Sequence, residues 1–149
     1  MAPILISHLG FTQDMKLLSE VLIPMNPPVS TIELSGEEIC EMLEENLERT
    51  FSCDAYNQMG GYLKRCLGLN VYFKIENSYG LRIQKLFVGN EEIQTDKYYS
   101  TAFVTMQGVP QKYRRNRKDQ SERIIDAMRK YLAGHRTIRA ELRGTYIAV

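Results

Sequence analysis

Pro24, Pro27 and Pro28 fall within five residues of one another. Each fixes φ and removes a backbone donor, so no regular helix can run through this stretch. The chain divides there into a short segment, residues 1–22, and a longer one, residues 23–149. In the short segment, the apolar run from Pro3 to Ser7 predicts a buried strand. Thr12 can cap a helix over about residues 13–21, with Met15, Leu18 and Val21 on one face. In the longer segment, Val29 to Leu34 alternates as a strand does, and Ser35-Gly36-Glu37-Glu38 follows. Serine at the N-cap with glutamate at the third helical position is a capping box, in which side chain and backbone satisfy each other's orphan groups. A helix is expected from there to about Arg49. Ile39, Met42, Leu43 and Leu47 make its buried stripe, and Glu37, Glu41, Glu44 and Glu48 are expected largely to face water.

Beyond it the pattern changes to a period of two. Tyr62 to Leu67 predicts a strand, which Gly68 breaks. Val71, Phe73 and Ile75 alternate with Tyr72, Lys74 and Glu76, Asn77 to Gly80 makes a turn, and Leu81 to Val88 returns as the second arm of a hairpin. Gly89-Asn90 is a further turn, and Tyr98 to Thr105 is rich in aromatic and β-branched residues. Gly108 to Gln120 is polar and basic and reads as a loop. Asp119 to Glu122 resembles a second capping box. The helix it would start runs to about Ala133, with Ile124, Ile125, Met128, Tyr131 and Leu132 inward and Gly134 as its stop. Thr145 to Val149 is expected to close a sheet. The fold class is α+β, a mixed sheet with hairpins and two main amphipathic helices.

A chain of 149 residues, 44% hydrophobic and 25% charged, suits a packed domain of ordinary size and not a disordered segment. A net charge of +1 provides no global field to recruit nucleic acid or a membrane. No stretch approaches the roughly 20 apolar residues of a membrane span. No signal peptide is visible, and three cysteines without a C-x-x-C pair fit a reduced compartment, so a cytoplasmic location is expected. Cys40 and Cys66 read as small apolar residues.

Several blocks carry a resemblance. Pro24-Met25-Asn26-Pro27, then Val29 to Glu38, then Leu43-Glu44-Glu45-Asn46-Leu47-Glu48 resemble the C-terminal domain of bacterial 5'-nucleotidases. Gly61 to Tyr72 is similar to the next block of that family, and Arg82-Ile83 through Asp96-Lys97-Tyr98-Tyr99 to the one after. Asn57-Gln58-Met59-Gly60-Gly61 resembles the branch that includes the thiosulfate-oxidation hydrolases. The likeness covers about residues 23–149. Ser7-His8-Leu9-Gly10, with Asp14 after it, resembles a block of the family's other domain, the metallophosphoesterase domain. Residues 1–22 thus look like a remnant of that domain, joined near Leu22 and Ile23 without the long stretch that separates the two blocks in the family.

The resemblance implies specific chemistry. In the family His8 would be one of several ligands of a centre of two divalent metals, which clamps the attacking and leaving oxygens of a phosphoester. The chain holds two histidines, His8 and His135, and one imidazole cannot hold such a centre, so no cofactor is expected for this chain alone and His8 is expected to be structural or vestigial. The family also binds a nucleotide base between two aromatic rings. The second falls on Phe103, although the aspartate and one glycine of the family's Gly-Gly-Asp-Gly-Tyr are missing after it. The first falls on Leu63, or on Tyr62 with the register moved by one, and the family's amide two residues on falls on Arg65. The alternative for Phe103 is an ordinary core aromatic. The basic run Lys112, Arg114, Arg115, Arg117 and Lys118 could meet a phosphate backbone, but a charged loop is more often simply solvated, and nucleic acid is not an expected partner. Two functions follow. One is a substrate-recognition domain for a nucleotide or a small phosphate or sulfur ester, inactive alone or paired with a separate catalytic chain. The other is an interaction module that forms a homodimer.

Overall fold

The computed structural model describes residues 4–7, 26–104, 108–135 and 144–149, with side chains described from residue 26 onward. The helix expected over residues 13–21 lies outside them, as do His8 and Asp14. In chain order the elements are β1 (Ile4–Ser7), β2 (Pro28–Ser35), α1 (Gly36–Phe51), β3 (Arg65–Leu67), β4 (Leu69–Phe73), β5 (Ile83–Val88), β6 (Glu91–Glu92), β7 (Tyr98–Phe103), β8 (Lys118–Arg123), α2 (Ile124–Ala133) and β9 (Tyr146–Ala148). They form two sheets, one in the order β3-β1-β7-β2-β8 and one in the order β6-β5-β4-β9. Both are mixed: β1 runs parallel to β7 and β4 parallel to β9, while the remaining pairs are antiparallel. The α+β architecture therefore stands, with two sheets in place of one. Gly68, at φ +87°, is where the chain leaves the first sheet and enters the second, a left-handed conformation that glycine adopts without steric cost.

The capping box forms as its spacing requires. The Glu38 amide donates to Ser35 Oγ at 3.1 Å and the Ser35 amide to Glu38 Oε2 at 2.8 Å. The next two helical amides, of Gly36 and Glu37, donate to the carbonyls of Lys97 and Thr95, each at 3.0 Å, so the turn before β7 completes the cap. Ile39, Met42 and Leu43 are buried in one cluster with Ile32 and Leu34 of β2, Val71 of β4 and Leu86 of β5, and Leu47 is buried as well.

The structure corrects five expectations. Glu44 is buried, not solvated: its carboxylate accepts the amides of Ile83 at 2.6 Å and Gly80 at 3.2 Å. Ile75 lies past the end of β4 and is exposed, because the inward alternation stops at Phe73. The strand expected from Tyr62 starts at Arg65, since Tyr62 and Lys64 make backbone bonds to the Asn46 side chain. Residues 119–122 form no capping box. They lie in β8, an edge strand paired with β2, where Asp119 accepts from Ser30 Oγ at 2.5 Å and α2 begins without a side-chain cap. Of the residues expected to face inward on α2, Ile124 is buried, Ile125, Met128 and Leu132 are half-buried, and Tyr131 is exposed.

Candidate functional site

The outer face of α1 carries Glu41, Glu45 and Arg49, spaced four apart, with Met42 and Asn46 beside them. Arg49 donates to Glu45 at 2.6 Å. Past the helix end the chain turns back: Gln58 Nε2 donates to the Ser52 carbonyl at 2.7 Å, the Met59 amide to the Arg49 carbonyl at 3.0 Å, and Arg49 also contacts the Met59 sulfur. Residues 62–64 are held chiefly through Asn46, with Thr50 Oγ1 also donating to the Tyr62 carbonyl at 3.3 Å. Asn46 Nδ2 donates to the Tyr62 carbonyl at 3.0 Å and Asn46 Oδ1 accepts from the Lys64 amide at 2.8 Å. This two-point bond copies a strand pairing and fixes residues 62–64 across the helix.

The segment after β7 forms the opposite wall. Lys112 Nζ lies 3.0 Å from Glu41 and 3.4 Å from Glu45, and Tyr113 donates its phenol to Glu41 at 2.9 Å. Between the walls lies a groove of about 490 Å³. Its apolar surface comes from Met42, Met59, Pro110 and the Tyr62 ring, and its charge from Arg49, Lys64, Lys112 and Glu45. Three cations against one carboxylate give it a positive lining.

The electrostatics follow the same bonds. Hydrogen bonds from Lys112 and Tyr113 hold Glu41 below the ordinary carboxylate value, and Glu41 raises Lys112 in return. Burial, aided by the bond to Glu41, pushes the Tyr113 phenol up to about 12. Burial acts on Glu45 to raise it, but Arg49 and Lys112 outweigh that and leave it lowered. Burial draws the Lys64 ammonium below its ordinary value, because a partly desolvated cation is disfavoured.

Of the residues singled out in the sequence, Tyr62 lines this groove and is 67% exposed. Phe103 does not. It sits on β7 at 2% exposure, with the Arg117 guanidinium 4.6 Å above its ring. Arg65 is exposed at the start of β3, outside the groove lining. The structure thus brings Tyr62 to a ligand-sized cleft and separates it from Phe103 and Arg65. Asn46 and Lys64 are the groove residues that sequence reading passed over, and Lys112 was singled out only as part of a basic run. For Asn46 there was a signal, a polar residue beside the buried stripe of α1; for the pairing of Lys112, whose partners are 67 and 71 residues away, there was none.

The basic run is engaged within the fold. Arg117 donates to the carbonyls of Val109, Pro110 and Tyr113, Arg115 lies 4.2 Å from the centre of the Tyr98 ring, and Arg114 donates to the Gln111 carbonyl. Its charge organises the loop that walls the groove.

A family model, the 5'-nucleotidase C-terminal domain, matches residues 17–107. The chain belongs to that family. No curated protein matches the sequence. Among solved structures, the fold is similar to Thermus thermophilus sulfate thiohydrolase SoxB in complex with glycerol, at TM-score 0.77 and 18% identity over 98% of this chain and 28% of that one. It is also similar to a 5'-nucleotidase precursor from Thermus thermophilus, at TM-score 0.76 and 19% identity over 98% of this chain and 31% of that one. Haemophilus influenzae NAD nucleotidase matches at TM-score 0.73 and 15% identity, over 99% and 30%. This chain spans less than a third of the length of each of these three. Among the described residues no group of three or more His, Cys, Asp or Glu side chains is placed to hold a metal ion, and His8 lies outside them.

Proposed function

We propose that this chain is the substrate-recognition domain of a 5'-nucleotidase-type phosphoester hydrolase, without hydrolytic activity of its own, and that its ligand seat is the groove between α1 and residues 108–113. The ligand class is a nucleotide or a small phosphate or sulfur ester, as in nucleotide catabolism. The observation that carries this reading is the groove itself: a cleft of about 490 Å³, within the usual range for small-ligand sites, with the exposed Tyr62 ring and a positive lining. An exposed ring can stack on a base, and the cations favour an anionic ligand. The Phe103 ring, buried under Arg117, could join such a stack only after Arg117 moved. The absence of activity is argued from the sequence, which holds two histidines in all.

Calorimetry on the full chain with AMP, UMP and thiosulfate tests this. Saturable binding that Tyr62→Ala weakens by about tenfold is the expected result, at about the value of one base stack. Absence of binding by all three, or turnover of AMP by the purified chain, overturns it.

A homodimer or a separate catalytic chain belongs to the same proposal as partner. It is supported by Ile75, Tyr79 and Leu81, exposed together at the turn between β4 and β5, an apolar set of the kind that meets other proteins. Light scattering distinguishes the dimer. No helix among the described residues is long and apolar enough to cross a membrane. A cytoplasmic setting is supported by the free thiols of Cys40, Cys53 and Cys66.

A further inference from the structure

Glu45 is the one carboxylate of the groove lining, and it stands between cations of both walls. Arg49, one turn along α1, donates to Glu45 Oε1 at 2.6 Å, and Lys112 Nζ on the opposite wall lies 3.4 Å from Glu45 Oε2. One carboxylate thus bridges the cleft, each of its oxygens on a cation that also lines it. Burial acts to raise Glu45, but Arg49 and Lys112 outweigh it, so the group carries its negative charge near neutrality. Neither cation relies on Glu45 alone for its place. Lys112 is also held by Glu41 at 3.0 Å and lies 5.0 Å from the centre of the Tyr113 ring, and Arg49 also contacts the Met59 sulfur. Glu41 is not part of the lining, whereas Glu45 is.

We infer that Glu45 is a stand-in for the ligand's anionic group: it occupies Arg49 and Lys112 while the groove is empty, and an anionic ligand must take those contacts from it. This rests on the reading of the groove as the ligand seat and adds the residue that sets its preference for charge. The two cations attract an anion, and Glu45 opposes it twice, by engaging their N–H groups and by its own like charge. A neutral ligand meets neither cost, because it leaves the bridge in place. A carboxylate that served only to position the cations would have the opposite effect. Its loss would free two long side chains, which a ligand would then have to order at a cost in affinity. Lys112 and Arg49 keep their other partners when Glu45 is replaced, so competition outweighs support. The sign of the change in affinity separates the two roles.

The test is calorimetry on the full chain with UMP and uridine, which share base and sugar and differ in the phosphate. Glu45→Gln removes the charge and keeps the shape. It is expected to bind UMP about fivefold more tightly than the wild type does, the upper end of what a partly exposed charge pair is worth, and uridine within about twofold of the wild type. The gain for UMP should shrink at high salt, which screens the repulsion. An unchanged or lower UMP affinity in Glu45→Gln, or an equal gain for uridine, overturns the role of Glu45 while leaving the groove as a binding site. Failure of wild type and variant alike to bind UMP overturns the ligand seat, and this role with it. If Glu45→Gln does not fold, nuclear magnetic resonance of the wild type decides. The Glu45 carboxyl carbon signal is expected to shift with UMP and not with uridine, and a signal unmoved at saturating UMP overturns the role.

Discussion

The Ile83 amide donates to the Glu44 carboxylate at 2.6 Å, tying β5 to the middle of α1 across 39 residues of chain. The other carboxylate oxygen accepts the Gly80 amide at 3.2 Å, and Glu48, one turn further along, receives Arg82 at 2.7 Å. Two acidic residues of one helix thus anchor the hairpin of β4 and β5 through its backbone and its buried arginine. Glu44→Ala leaves the Ile83 amide without its acceptor and is expected to cost ~2 kcal/mol. Glu44→Gln, which keeps one acceptor, is expected to cost ~1 kcal/mol. Urea unfolding of both variants against the wild type reads the difference. Equal stability of all three would show that the hairpin is held by packing alone.

The position of Glu44 also shows where sequence reading reached its limit. Helix α1 was legible because its signals are local: a capping box at its start and four apolar residues on one stripe. The β4–β5 hairpin was legible for the same reason, with alternation on both arms and a turn between them. Glu44 follows Leu43 directly, at the edge of that stripe, and nothing local says that an acid there meets two amides 36 and 39 residues away. Strand β8 failed differently. Its residues, Lys118 to Arg123, are polar throughout, because an edge strand pairs through its backbone and buries little side-chain surface, so its sequence resembles a loop and a cap. In the groove, the Tyr62 wall could be found from the aromatic and the glycines before it. The wall of residues 108–113 depends on ion pairs that span 67 and 71 residues.

Gly36 opens α1 beneath the turn that precedes β7. A Cβ placed there would overlap the Gln94 carbonyl oxygen and lie 2.8 Å from its carbon and 3.0 Å from Thr95 Cα, all backbone atoms. Gly36→Ala must therefore push the turn off the helix and stretch the bonds from the Gly36 and Glu37 amides. A loss of ~1–3 kcal/mol is expected, although alanine is the better helix former. Thermal unfolding checks it, and an unchanged or higher midpoint would mean that the turn yields freely.

Glu41 gives the Lys112 wall a pH dependence. Its folded value lies below the ordinary 4.5 because Lys112 and Tyr113 hydrogen-bond the ionised carboxylate. Its contribution to stability is therefore complete above about pH 4.5 and is lost as the pH falls through the lowered folded value. The side chain is 54% exposed, so solvent screens the pair and the contribution is ~0.5 kcal/mol. Glu41→Gln should lower the urea midpoint slightly near neutrality and flatten its fall as the pH drops below about 4.5. A variant curve parallel to the wild type would assign the acid loss to other carboxylates.

Asn46 separates binding from folding. Its amide holds the Tyr62 carbonyl and the Lys64 amide, so it sets where the ring and the ammonium stand without lining the core. Asn46→Asp keeps the acceptor for Lys64 but loses the donor to Tyr62; Asn46→Ala loses both. Each lost bond costs ~1 kcal/mol of stability at a partly exposed site. Ligand affinity should suffer more, by about tenfold for Asn46→Ala, because a released segment must be ordered again when the ligand binds. The order wild type, Asp, Ala in UMP affinity is the expected outcome by calorimetry, although aspartate also adds a negative charge to the groove and repels an anionic ligand. Adding salt screens that repulsion, and at high ionic strength the aspartate variant should stand above the alanine one. If Asn46→Ala unfolds more readily yet binds UMP as the wild type does, the segment is positioned by its own turns and the clamp serves stability alone.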